Sequence, residues 1–189
     1  MSAAATGNSR TLAFYWGLGG FIALLVYAIA RLAPIAWEAL QQPMSLLQLA
    51  VLAGNTLFMA YSEGYKGFQK GYSPRVVARA AWLKDNATVW LTVLAPLFCM
   101  AYFAAPRKRL LTTWILTIAI IILVIIFHRL PQPWRGILDA GVVVGLSWGI
   151  IATLVAAGRY LLSGEPPGDP EVKDSRLFTS INRTVEQKG

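Results

Sequence analysis

One cysteine and one histidine are all that 189 residues offer in thiol or imidazole ligands. A lone Cys99 excludes an intrachain disulfide. A lone His128 excludes bis-histidine haem ligation and the usual Cys/His zinc sites. Charge is scarce as well. Only 14% of residues are charged, against about 25% in soluble domains, and nine acids stand against seventeen bases. Phosphate-binding glycine loops, serine-nucleophile elbows and two-histidine zinc motifs are missing. The chain therefore reads more as a non-enzyme than as an enzyme: no catalytic residue, metal ligand or cofactor is assigned.

What fills the chain instead is apolar surface, at 56% hydrophobic residues and a mean hydropathy of +0.53. Five stretches contain no Asp, Glu, Lys, Arg or His: 11–30, 44–62, 86–105, 110–127 and 140–158. A helix rising about 1.5 Å per residue needs roughly 20 residues to cross a hydrocarbon core, and each stretch is close to that length. The fold class expected is all-α, a polytopic transmembrane helix bundle of about five spans with one interfacial helix. The boundaries read as a polar segment over 1–10, a helical domain over 11–162 and a polar tail over 163–189. Within the domain the spans fall at about 11–32, 44–65, 86–105, 110–128 and 136–162, and the interfacial helix at about 74–84.

Five crossings would put the termini on opposite sides. The tail holds five of the nine acids and four of the seventeen bases, so the basic excess sits at the helix ends, where Lys and Arg meet anionic headgroups. Its distribution favours a cytoplasmic amino terminus, in the cell inner membrane if the source is bacterial; Arg107-Lys108-Arg109 speaks against that orientation. No binding motif accompanies the basic charge, which excludes nucleic acid as a partner. The partners expected are the lipid bilayer and either other membrane subunits or a second copy of the chain.

Residues 61–72, YSEGYKGFQKGY, carry the densest pattern. At 100° per residue Tyr61, Tyr65, Phe68 and Tyr72 share one face, Ala60, Gly64, Gly67 and Gly71 a second, and Glu63, Lys66 and Lys70 a third that Asn55 and Met59 extend backward. The second helix would then continue past the membrane as one rod; an irregular glycine-rich loop is the alternative, since each glycine costs a helix about 1 kcal/mol. Gly64, Gly67 and Gly71 form one helix-packing face, and Gly141, Gly145 and Gly149 form another in small-xxx-small spacing. Ser73-Pro74 has the chemistry of a helix start. The helix it opens carries Arg75, Arg79, Trp82 and Lys84, which suit a membrane surface.

Five polar residues gather at one leaflet edge by topology: Glu63, Lys66, His128, Arg135 and Asp139. Ionisable residues at a span edge are functional candidates, although Glu63 with Lys66 and Asp139 with Arg135 also have the spacing of simple ion pairs. On this placement no ionisable residue sits at mid-membrane. In the tail, Leu177, Phe178, Ile181 and Val185 fall on one helical stripe. The function expected is a non-enzymatic scaffold, assembly or accessory component. A small transporter of a hydrophobic or lipid-like substrate and a membrane-edge enzyme acting on headgroups are the alternatives.

Overall fold

The computed structural model describes residues 7–172, and within them every regular element is a helix. The tail stripe at 177–185 lies outside the described residues. Helix α1 spans Gly7–Leu40, running past Arg31 and Pro34, beyond residue 32 where the first span was expected to end. Helix α2 spans Leu46–Met59. Its start is a capping box: the Ser45 hydroxyl accepts from the Gln48 N–H at 3.3 Å, and the Ser45 N–H donates back to Gln48 Oε1 at 2.8 Å, satisfying two orphan helix-end groups.

The chain then continues without a break through a π-helix, Ala60–Tyr72, into α3, Ser73–Asn86. Thirteen residues of π-helix is far beyond the usual single-turn bulge. Ser73 does not cap; it is itself helical. Pro74 lies directly behind the widened stretch. In an α-turn its ring would strike the carbonyl four residues earlier, and the wide turn relieves that clash.

Residues 86–105, read from sequence as one span, are not one helix. Helix α4, Val89–Val93, and helix α5, Ala95–Cys99, meet at a break on Leu94. Pro96 has no N–H to carry the hydrogen-bond ladder back into α4 and is tolerated in the first turn of α5, so the two helices stay separate. Each covers only about 7 Å. They pack back along α1, where a Cβ on Gly17 would lie 2.8 Å from Cys99 Sγ and one on Gly20 would collide with the Pro96 ring. Helix α6, Arg107–Phe127, follows, then α7, Trp134–Ser163, which ends on Gly164 at φ 75, the left-handed cap glycine permits.

Three helices among the described residues are long and apolar enough to cross a membrane, at Arg10–Leu40, Arg107–Phe127 and Trp134–Ser163. That is fewer than the five the charge-free runs suggest. One run is folded into α4 and α5, and another is merged into the rod of α2, π-helix and α3.

Helices α1 and α7 are antiparallel: Gly136 abuts Ala39, while Phe14 and Tyr160 bring their rings to 5.5 Å. The start of α1 and the end of α7 therefore share one end of the bundle, which corrects the expectation of opposite ends. Phe14, Phe21, Val76, Val77, Leu83 and Phe98, all fully buried, fill the core between α1, α3, α5 and α7. Helix α3, expected at a membrane surface, is packed into this core: most of its residues are buried, Arg79 among them.

Candidate functional site

The rod lies along α7 from end to end, and small residues on α7 receive its side chains. Asn55 and Met59 fill the hollow at Gly141, Glu63 that at Gly145, and the Phe68 ring that at Gly149, while Ser73 and Thr153 bring their hydroxyls to 2.8 Å. On α7 these positions advance by four residues, one α-turn of about 6 Å. On the rod, Glu63, Phe68 and Ser73 advance by five, the repeat of i→i+5 hydrogen bonding. In an α-helix a five-residue step rotates about 140° off the face, so only the widened helix keeps Glu63, Phe68 and Ser73 against α7. Widening redistributes the other residues of the segment too. Lys66 sits 4.9 Å from the Tyr61 ring centroid and Lys70 sits 4.8 Å from that of Tyr65, each at i,i+5.

Of the first glycine face, Gly64 is buried against Trp148, where an added Cβ would lie 2.8 Å from the indole. Gly67 is exposed and Gly71 half-buried; neither touches another helix backbone. Beside them Trp148 Nε1 donates to Gln69 Oε1 at 2.8 Å. Asn55 Nδ2 donates to the Ile137 carbonyl at 2.9 Å and lies 3.3 Å from that of Leu138, which satisfies an amide in an apolar setting.

The five residues expected at one leaflet edge divide. His128, Arg135 and Asp139 come together: an Arg135 Nη lies 3.4 Å from His128 Nδ1, and Arg135 Nε lies 3.8 Å from Asp139 Oδ2. Glu63 stands apart, since Gly145 is six residues beyond Asp139, about 9 Å along α7. Its Oε2 is buried without a hydrogen-bond partner, as is Asp139 Oδ2. Lys66 faces outward over Tyr61. Among the described residues no three His, Cys, Asp or Glu side chains gather as metal ligands would.

The four residues expected on a membrane surface divide as well. Trp82 stacks on Phe98 with centroids 5.3 Å apart, and Lys84 Nζ sits 4.4 Å from the Phe14 centroid and 4.7 Å from that of Tyr160. Arg75 is half-buried.

Arg79, 2% exposed, is the largest departure. Its Nε donates to the Phe98 carbonyl at 2.6 Å, one Nη reaches the Pro170 carbonyl at 3.0 Å, and the other reaches that of Phe103 at 3.0 Å. The carbonyls of Ala104 and Glu171 lie 3.3 Å from the same two nitrogens, and the guanidinium stacks 4.1 Å from the Phe98 centroid. Ala104 and Glu171 hold φ of 53 and 46, a left-handed backbone that costs a non-glycine residue about 1–3 kcal/mol. The fork geometry of Arg thus ties three segments remote in sequence: the end of α5, the loop before α6 and the chain beyond α7. Beside it, Glu171 forms a two-pronged pair with Arg109, Nε to Oε2 at 2.5 Å and Nη to Oε1 at 3.0 Å. The hydrogen bond from Arg109 holds the Glu171 carboxyl below its ordinary range.

The sequence marked Arg79 for a membrane surface and gave no sign of its burial, because a buried cation held by backbone carbonyls has no partner side chain to spot. The capping box at Ser45–Gln48 was legible as S-x-x-Q. The chain matches no family model, no curated protein and no solved structure.

Proposed function

We propose that the chain is an integral membrane protein acting as a non-enzymatic scaffold or assembly component. The observation that carries this reading is α6: 21 residues, almost all apolar after the first turn, with none buried. Its contacts with the rest of the chain include Tyr102, whose hydroxyl meets that of Thr117 at 2.8 Å and whose ring meets Trp114 edge-on at 5.4 Å, and the Arg109–Glu171 pair. An apolar helix held by a few contacts along its first half, with no residue buried, offers itself to lipid or to another subunit's helix.

In this reading α1, the rod, α6 and α7 make four crossings, and α4–α5 re-enters without crossing. Both described ends then lie on one side. Arg10, Lys84, Arg159 and the 107–109 triplet fall on that side, against Arg31, Arg129 and Arg135 on the other, so the positive-inside rule favours placing it in the cytoplasm. The triplet that opposed this orientation in a five-span arrangement supports it in a four-span one.

Native mass spectrometry of the chain, extracted gently from its own membrane, tests the proposal. A stable hetero-complex or defined homo-oligomer is expected; a chain that is always alone overturns it. Transport is the second reading, favoured by the buried and unpartnered Oε2 of Glu63 on a polar line with Asn55. Solute flux in proteoliposomes that Glu63→Gln abolishes would support it, and no flux would remove it. The headgroup-enzyme reading draws less support, because Glu63 does not join His128 and Asp139.

A further inference from the structure

Lys66 and Lys70 are exposed on the side of the π-helix turned away from α7. The contacts around them set their depth: Gly64 against Trp148, Phe68 against Gly149 and Ser73 against Thr153. Both residues therefore stand level with the middle of the charge-free run 140–158, each ammonium group reaching back one turn to Tyr61 or Tyr65. If α7 crosses the bilayer, as the scaffold reading on which this inference rests requires, they stand at mid-membrane. Ionisable groups at that depth face protein or water, not acyl chains. No carboxylate pairs with either lysine among the described residues, where the ion pairs are Arg109–Glu171 and Arg135–Asp139. The nearest acid in sequence, Glu63, is turned to Gly145 on the opposite side. The lysines lie over Tyr61 and Tyr65, whose rings stack at 6.0 Å.

A protein surface that covers this face has to bring an anion to the lysines. A second copy presenting the same surface would set lysine against lysine. A phospholipid phosphate lies about 15 Å from the bilayer centre, too far for the level of Lys70. A carboxylate on a spanning helix meets the requirement, since acids inside membranes are themselves retained by pairing. Gly67 leaves room for it: the residue is exposed, and a Cβ there would meet only the Ser62 carbonyl, at 3.3 Å. A foreign backbone can approach such a position closely. We propose that the Tyr61–Lys70 face docks a spanning helix of a partner subunit that carries an Asp or Glu at mid-membrane.

A membrane-permeant carbodiimide applied to native membranes tests this directly. It joins a lysine Nζ to a touching carboxylate as an amide, with loss of one water, and peptide mapping reads the junction. The result expected is Lys66 or Lys70 joined to an Asp or Glu within an apolar helix of another polypeptide. Co-purification of that polypeptide should fall at least about thirtyfold in the Lys66→Glu/Lys70→Glu chain, following the usual loss when a buried charge pair is broken, and persist in Lys66→Arg/Lys70→Arg. If charge reversal prevents folding, Lys66→Gln/Lys70→Gln gives the same comparison. Junctions to Glu63 alone, or to a second copy, overturn the proposal. So does a phospholipid that the wild type retains and the charge-reversed chain loses. A polypeptide partner held equally by every variant overturns this docking site and leaves the scaffold reading standing. No partner in any variant removes the scaffold reading itself.

Discussion

Helices α6 and α7 begin from nearly the same information, an uninterrupted apolar run, and end in opposite circumstances. Helix α7 carries Gly141, Gly145 and Gly149 and receives side chains from the rod at each. Helix α6, rich in Ile, Leu and Val, has no buried residue. Lipid is as apolar as leucine, so greasiness alone gives helices no reason to associate in a bilayer. Small residues do, because they allow the close approach on which dispersion and backbone packing depend. Apolar length decides that a helix enters the membrane, and surface relief decides whether it joins the bundle.

Arg79→Ala should disturb that comparison most, because Arg79 ties the loop entering α6 to the chain leaving α7. Losing charge-assisted bonds to the carbonyls of Phe98, Phe103 and Pro170 is expected to cost about 3 kcal/mol or more, read as lowered unfolding free energy in detergent. Arg79→Lys should recover only part, since an ammonium lacks the planar fork; full recovery would show that charge alone suffices. Next comes Gly149→Leu, expected to cost about 1–3 kcal/mol by overpacking, since even a Cβ would come within 2.7–2.9 Å of the Phe68 ring. A neutral outcome would mean the rod does not seat on α7 there.

The Arg109–Glu171 pair offers a smaller handle, less than about 1 kcal/mol because the side chains are 39% and 30% exposed. The folded Glu171 carboxyl titrates below its ordinary value of 4.5. Its contribution is therefore complete above that value and is lost as the pH falls through the folded-state value. Stability of Glu171→Gln should accordingly stay flatter than that of the wild type across this acid range. A parallel decline would assign the loss to other carboxylates. Smallest of all should be Ile121→Ala in α6, where Ile121 is 53% exposed: a change within about 0.5 kcal/mol for the isolated chain. A larger loss appearing only in a complex would locate a partner on α6.

Much of this was written in the sequence, but unevenly. The runs at 11–30, 110–127 and 140–158 announce α1, α6 and α7, because membrane entry is decided by composition over about 20 residues. The run 86–105 has the same composition and does not behave the same way. Pro96 within it, and the glycines of α1 that accept its fragments, convert a would-be span into two short helices. Segment 61–72 was legible as a faceted helix joined to its neighbours, though not as a π-helix. Assigning faces at 100° per residue presupposes the α repeat, so Gly67 and Gly71 were grouped with Gly64 on a packing face that the wider repeat dissolves.

By itself the sequence determined an all-helical chain with apolar helices of membrane-spanning length and the glycine ladder of α7. Each follows from local composition or from spacing within one helix. Only the tertiary structure decided that the rod runs the length of α7, which sets Lys66 and Lys70 level with Gly149. It alone buried Arg79 among carbonyls from three remote segments and parted Glu63 from His128 and Asp139. The physical reason is common to all of these. They depend on which helix a residue faces and at what level along it, and that is fixed by partners distant in the chain.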